Sequence, residues 1–179
     1  MILVLGRENS GKSVLAEKLA METGDPVKIY LATMKICDDE GKKRVIKHRA
    51  QREGKGFITI EKCFAIDSLI GETKNPEQTT VLLECVANLV GNELFDHSGG
   101  IKPAAPGDLA CEDFAEEIIS EIQRLNDHFH HLILVSNTYE KKPDYDMQTR
   151  LYLSLLDQVN EKLLMLADQT IDLRKGTED

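Results

Sequence analysis

No run of apolar residues in this sequence approaches the roughly eighteen that a membrane-spanning helix needs, so no span is expected. The start also lacks the marks of a signal peptide. Met1 leads directly into the strand-like run "ILVL", without a charged region, a long apolar stretch or a small-residue cleavage site. Cysteine is sparse and scattered. Its four occurrences, Cys37, Cys63, Cys85 and Cys111, form no C-x-x-C pair. That spacing sets aside a disulfide framework and a cysteine zinc site, and makes reduced thiols in a cytoplasmic protein the expectation. Positive charge is in deficit, with 22 Lys and Arg against 31 Asp and Glu and a net charge of −9. Such a surface repels a phosphate backbone, so no nucleic-acid partner is expected. Any site for an anionic nucleotide has to be locally basic.

The 179 residues suit one domain with a layered core, and 30% charged with 41% hydrophobic residues is ordinary for a globular chain. Short runs rich in Val, Ile and Leu recur: "ILVL" at 2–5, "VKIYLA" at 27–32, "VLLECV" at 81–86 and "HLILVS" at 131–136. Continuous apolar runs of this length fit parallel strands covered on both faces. "FITIE" at 57–61 and "TIDLR" at 170–174 are weaker strand candidates. Residues 12–22 are predicted helical. Between Asp108 and His128, Phe114, Ile118, Ile122, Leu125 and Phe129 recur at spacings of three and four, the apolar stripe of an amphipathic helix. Leu151, Leu155, Val159 and Leu163 mark a second long helix over 145–167. Strands alternating with helices predict a three-layer α/β fold of the P-loop NTPase kind, with a mainly parallel sheet spanning residues 1–179 as a single domain.

The stretch "GRENSGKS", Gly6, Arg7, Glu8, Asn9, Ser10, Gly11, Lys12 and Ser13, has the spacing G-x-x-x-x-G-K-[ST]. It stands between a predicted strand and a predicted helix, the context that this motif requires. Backbone amides at a helix N-terminus point at a phosphate, and the helix dipole adds favourable potential there. Lys12 reaches the terminal phosphates and the Ser13 hydroxyl ligates Mg²⁺. Such folds take a second acid from the end of a neighbouring buried strand, and "TVLLEC" supplies Glu84 at that place. Asp38, Asp39 and Glu40 fit a helix-capping role as well as a metal or substrate role.

His48 lies among Lys42, Lys43, Arg44, Lys47, Arg49 and Arg52. A neutral imidazole nitrogen can attack the α-phosphorus of a nucleoside triphosphate, and the cations neutralise the triphosphate. Spacing alone equally allows a solvent-exposed histidine on a basic helix. His128, His130 and His131 form an H-x-H-H run with no accompanying carboxylate or cysteine pattern, and cationic capping of a helix end accounts for it.

Read in order, "MILVLGRENSGKS", "IYLATMKICDDE", "RVIKHRAQR", "VLLECVANLVGNELF", "LVSN" and "NEKLLMLADQTIDLRKG" resemble one family over nearly the whole chain. That family is the bifunctional adenosylcobinamide kinase/adenosylcobinamide-phosphate guanylyltransferases of cobalamin biosynthesis. The resemblance implies that His48 becomes covalently guanylylated and passes GMP to a corrinoid phosphate. It further implies Ala32, Thr33 and Met34 near the nucleotide, with Arg49, Glu61 and Glu84 at the same site. Mg²⁺, GTP, either ATP or GTP as phosphate donor, and a corrinoid acceptor follow from it, as does a homotrimer. After "VSN" this chain reads "TYEKKP" where the family has Glu-Val-Gly. The residues therefore leave two alternatives, a small-molecule kinase without guanylyl transfer and a nucleotide-binding regulator without catalysis.

Overall fold

A computed structural model of the chain describes residues 1–35, 41, 43, 46, 50, 52–96 and 102–174. Six strands form one parallel sheet: β1 (Ile2–Gly6), β2 (Val27–Ala32), β3 (Phe57–Glu61), β4 (Thr79–Glu84), β5 (His131–Asn137) and β6 (Gln169–Asp172). Their order across the sheet is β3-β2-β4-β5-β1-β6. The described helices are α1 (Lys12–Glu22), the single turn α2 (Leu69–Glu72), α3 (Val86–Phe95), α4 (Ala110–His128) and α5 (Met147–Leu166).

The apolar strand runs find their cause in this order. Leu3, Leu5, Leu31, Leu82, Leu83 and Leu134 are all fully buried in the central strands, because helices cover both faces of the sheet. Burying each such side chain contributes about 1.5–3 kcal/mol. The path from β1 to β2 runs one way across the sheet, while β4 to β5 and β5 to β6 run the other way. Right-handed crossovers therefore put α1 on one face and α3, α4 and α5 on the opposite face. The packing of α5 against both α3 and α4 agrees. This is the expected three-layer α/β arrangement.

Both long helices follow their stripes. Phe114, Ile118, Ile122 and Leu125 of α4 are buried, as are Leu151, Leu155, Val159 and Leu163 of α5. The Asp146 carboxylate caps α5 by accepting the Thr149 N–H at 2.7 Å. Asp108 lies just outside α4 and accepts the Ala110 N–H at 3.1 Å, so that helix starts two residues after the expected point. One boundary differs more. The run "VLLECV" reads as a strand to Val86, but β4 ends at Glu84 and Val86 opens α3. Val86, Leu89, Val90 and Leu94 are the buried stripe of that helix. It continues the strand's apolar run without a polar break, which hides the junction in the sequence. No described helix is long and apolar enough to cross a membrane.

Candidate nucleotide site

Parallel strands place all their carboxyl ends on one edge, and the phosphate loop opens there from β1. Gly6 ends the strand at a point where a side chain would be crowded. A Cβ there would lie 2.5 Å from Ser10 Oγ, and 3.1 Å from both Leu173 Cβ and Lys12 Cγ. Asn9 and Gly11 both take left-handed backbone, with φ of 60° and 84°. Those two reversals fold the loop back onto the start of α1, whose first turn closes with Leu15 N–H donating to the Gly11 carbonyl at 3.0 Å. Arg7, Glu8 and Asn9 are exposed, and Ser10 carries a buried hydroxyl with no partner. The Lys12 ammonium is buried and donates to the Arg7 carbonyl at 2.6 Å. Burial pulls its pKa below the usual lysine value, against the attraction of Cys85, Glu84 and Glu8.

Register sets the acidic side of the site. Ala32 at the end of β2 pairs with Glu61 of β3 on one side and Glu84 of β4 on the other. The Ser13 hydroxyl donates to Glu84 Oε1 at 2.5 Å, while Oε2 is buried without a hydrogen-bond partner. Two oxygen donors therefore meet at the foot of the phosphate loop with spare acceptor capacity. That donor set suits a hard divalent cation such as Mg²⁺.

Thr33 fixes this edge from within. It is fully buried; its N–H donates to the Glu84 carbonyl at 3.1 Å. Its hydroxyl donates to the Cys85 carbonyl and accepts the Cys85 N–H, both at 2.8 Å. Asn92 of α3 adds Nδ2–H bonds to the Thr33 carbonyl at 2.7 Å and the Cys63 carbonyl at 3.1 Å. The "LAT" segment is thus bolted to the residues around Glu84. Met34 lines a cavity of 260 Å³ together with Ala87, Asn92, Phe95 and Tyr152.

His48 and Arg49 lie outside the described residues, as do Asp38, Asp39 and Glu40. Arg52, just beyond them in sequence, is described and only 7% exposed. Its guanidinium carbon sits 3.4 Å from the centroid of the Tyr30 ring. Nε and Nη1 are buried without hydrogen-bond partners. Two buried guanidinium nitrogens without acceptors are costly, and the fork matches a phosphate. Arg52 and Glu61 share the lining of a cavity of 1120 Å³, with Gly54, Gly56 and Phe57. The sequence presented Arg52 only as one of six cations around His48. Its burial, a tertiary property, singles it out.

The histidine run divides. His128 keeps its helix-end role, its Nδ1 lying 2.8 Å from the Arg124 carbonyl. His130 and His131 do not cap a helix but meet Asp25, which supplies the carboxylate that the local sequence lacks. Burial alone would raise the Asp25 carboxyl, but hydrogen bonds from His131, Thr80 and His130 lower its pKa to about 2.

The sequence profile of the cobinamide kinase / cobinamide phosphate guanyltransferase family matches residues 2–178. The bifunctional adenosylcobalamin biosynthesis protein CobU of Escherichia coli strain K12 is 41% identical over 125 residues, 70% of this chain. That match spans 65% of the Escherichia coli protein, just under two thirds of its length. The protein of the same name from Salmonella typhimurium is 31% identical over 175 residues, covering 94% of this chain and 92% of that one. Among solved structures, an ATPase domain superposes with a TM-score of 0.49 at 17% identity, over 89% of this chain and 65% of that one.

Proposed function

The chain belongs to the cobinamide kinase / cobinamide phosphate guanyltransferase family, and from that premise we propose that it phosphorylates adenosylcobinamide and then attaches GMP to the product. The observation that carries the reading is the meeting of Ser13 and Glu84 at the phosphate loop, with one Glu84 oxygen unpartnered. In the first reaction the hydroxyl oxygen of the corrinoid side chain attacks the γ-phosphorus of ATP or GTP, and the bond to the nucleoside diphosphate breaks. The loop amides and Lys12 hold the triphosphate and neutralise charge as the leaving group departs. Ser13 and Glu84 are the residues to hold Mg²⁺, which supplies charge neutralisation at the phosphates when bound.

In the second reaction an imidazole nitrogen of His48 attacks the α-phosphorus of GTP and pyrophosphate leaves. A phosphate oxygen of adenosylcobinamide phosphate then attacks that phosphorus, and the phosphorus–nitrogen bond breaks to free His48. Arg49 and the buried Arg52 guanidinium, with its two unpartnered nitrogens, are suited to hold phosphate oxygens in this step. Ala32, Thr33, Met34 and Glu61 complete the nucleotide surroundings in this proposal. We place the protein in the cytoplasm as a homotrimer, acting on small molecules and not on nucleic acid.

The test is whether purified protein with GTP and Mg²⁺ gains the mass of one GMP in an acid-labile bond. His48→Asn should abolish that adduct and leave phosphorylation of adenosylcobinamide in place. Glu84→Gln keeps the side-chain shape and should raise the Mg²⁺ concentration needed for half-maximal phosphorylation by about tenfold or more. An adduct that persists in His48→Asn refutes the nucleophile, and an unchanged Mg²⁺ requirement in Glu84→Gln refutes the cation site.

A further inference from the structure

A second constellation occupies the opposite edge of the sheet, at the amino ends of the strands. Asp25 precedes β2, Thr80 is the second residue of β4, and His130 and His131 lead into β5. His130 Nδ1 lies 2.8 Å from Asp25 Oδ1, and His131 Nδ1 lies 2.9 Å from Asp25 Oδ2. The two imidazole rings stand 4.1 Å apart between centroids. One ligand atom from each of the three residues falls within 4.8 Å of the other two. The Asp25 carboxylate is 6% exposed, whereas the side chains of His130 and His131 are 54% and 37% exposed.

We propose that Asp25, His130 and His131 form a binding site for a divalent transition-metal ion of the zinc class. Imidazole nitrogens with one carboxylate oxygen are the donor set that such ions prefer over Mg²⁺. Metal bonds of about 2.0–2.2 Å set tetrahedral donor atoms roughly 3.3 Å apart. His130 Nδ1 and His131 Nδ1 face different oxygens of Asp25, at 2.8 and 2.9 Å, and one ligand atom from each residue lies within 4.8 Å of the other two, so modest side-chain rotation brings three donors to that spacing. Each ring nitrogen facing the ion gives up its proton to the other nitrogen of the same ring, so neutral imidazoles bind.

The surrounding residues support the ligands in the way metal sites require. The Thr80 hydroxyl donates to Asp25 Oδ2 at 2.7 Å and is itself 2.7 Å from the Thr23 hydroxyl, which fixes the carboxylate plane. Lys28 takes the main-chain carbonyl of Asp25 at 2.6 Å. The His130 N–H is held by the Pro76 carbonyl at 3.0 Å. The half-exposed histidines give the ion an entry path and leave room for water to complete its shell. A bound ion would clamp the turn before β2 to the start of β5, far from the phosphate loop in the fold, and so is independent of the nucleotide chemistry.

The test uses full-length protein stripped with chelator, then titrated with Zn²⁺ and separately with Co²⁺. One equivalent of Zn²⁺ should bind by calorimetry and raise the melting temperature. Co²⁺ should give visible absorption bands of a nitrogen- and oxygen-ligated ion. His130→Gln and His131→Gln, both at partly exposed positions, should each weaken Zn²⁺ binding by about tenfold or more. Circular dichroism checks that each variant is folded, which Asp25→Asn at its buried position is less suited to guarantee. Zn²⁺ binding that is absent up to about 1 mM, or unchanged in the doubly substituted His130→Gln/His131→Gln protein, would overturn the site.

Discussion

Replacing Thr33 with valine removes one oxygen from a fully buried position and keeps the side chain's shape. The hydroxyl accepts the Cys85 N–H and donates to the Cys85 carbonyl. The carbonyl keeps a second donor, the Leu89 N–H at 3.2 Å, whereas the N–H is left without its acceptor. Leaving a buried donor unmade costs about 1–3 kcal/mol, and the lost donation adds about 1 kcal/mol. The new methyl returns about 0.8 kcal/mol. The net is a destabilisation of about 2 kcal/mol, or roughly 4–8 °C in melting temperature for a domain of this size. Because Cys85 follows Glu84, the same loss frees the acidic strand end to move relative to Ser13. Phosphorylation activity should fall by about tenfold, since small misplacements of a reacting group are expensive. Thr33→Ser keeps the hydroxyl and should retain most activity while losing a little stability to the missing methyl. Differential scanning fluorimetry with a steady-state kinase assay reads both quantities. A Thr33→Val protein that melts within about 2 °C of the parent and turns over normally would refute this account of the strand end.

Two further outcomes rest on other parts of the structure. Gly6→Ala puts a Cβ 2.5 Å from Ser10 Oγ and 3.1 Å from Leu173 Cβ and Lys12 Cγ, so Ser10 has to rotate and the Lys12 stem has to give way. An overpacking cost of about 1–3 kcal/mol, felt at the loop, corresponds to a loss of nucleotide affinity of about 5- to 150-fold, and an unchanged Kd in a fluorescent-nucleotide titration would contradict it. Glu121 of α4 accepts the Ile66 N–H at 3.0 Å, and burial, outweighing that bond, pushes its carboxyl up to about 7. The folded state therefore holds this proton more tightly than the unfolded chain, and the group's contribution is full below about pH 4.5 and lost as pH rises through 7. Urea unfolding should show Glu121→Gln gaining on the parent between those values, by about 1–2 kcal/mol at pH 8, and a gap independent of pH would rule this out.

The phosphate loop, all six strands and three of the helices were legible in the sequence because each is written in neighbouring residues. A glycine spacing, an apolar run of five or an i, i+4 stripe needs no partner from elsewhere in the chain. Glu84 was legible for a related reason, since the acid at the end of a buried strand has one place to go in a parallel sheet. Val86–Phe95 has no local helix signature, because its apolar stripe runs on from the strand before it and no capping residue separates the two. What tertiary structure alone decided are the pairings between distant residues. Thr33 meets Cys85 across 52 positions, and Asp25 meets His130 and His131 across 105 and 106. The burial of Arg52 against Tyr30 likewise has no local signature. Strand order and register, set by which apolar faces cover one another, bring those groups together. No window of adjacent residues contains that information.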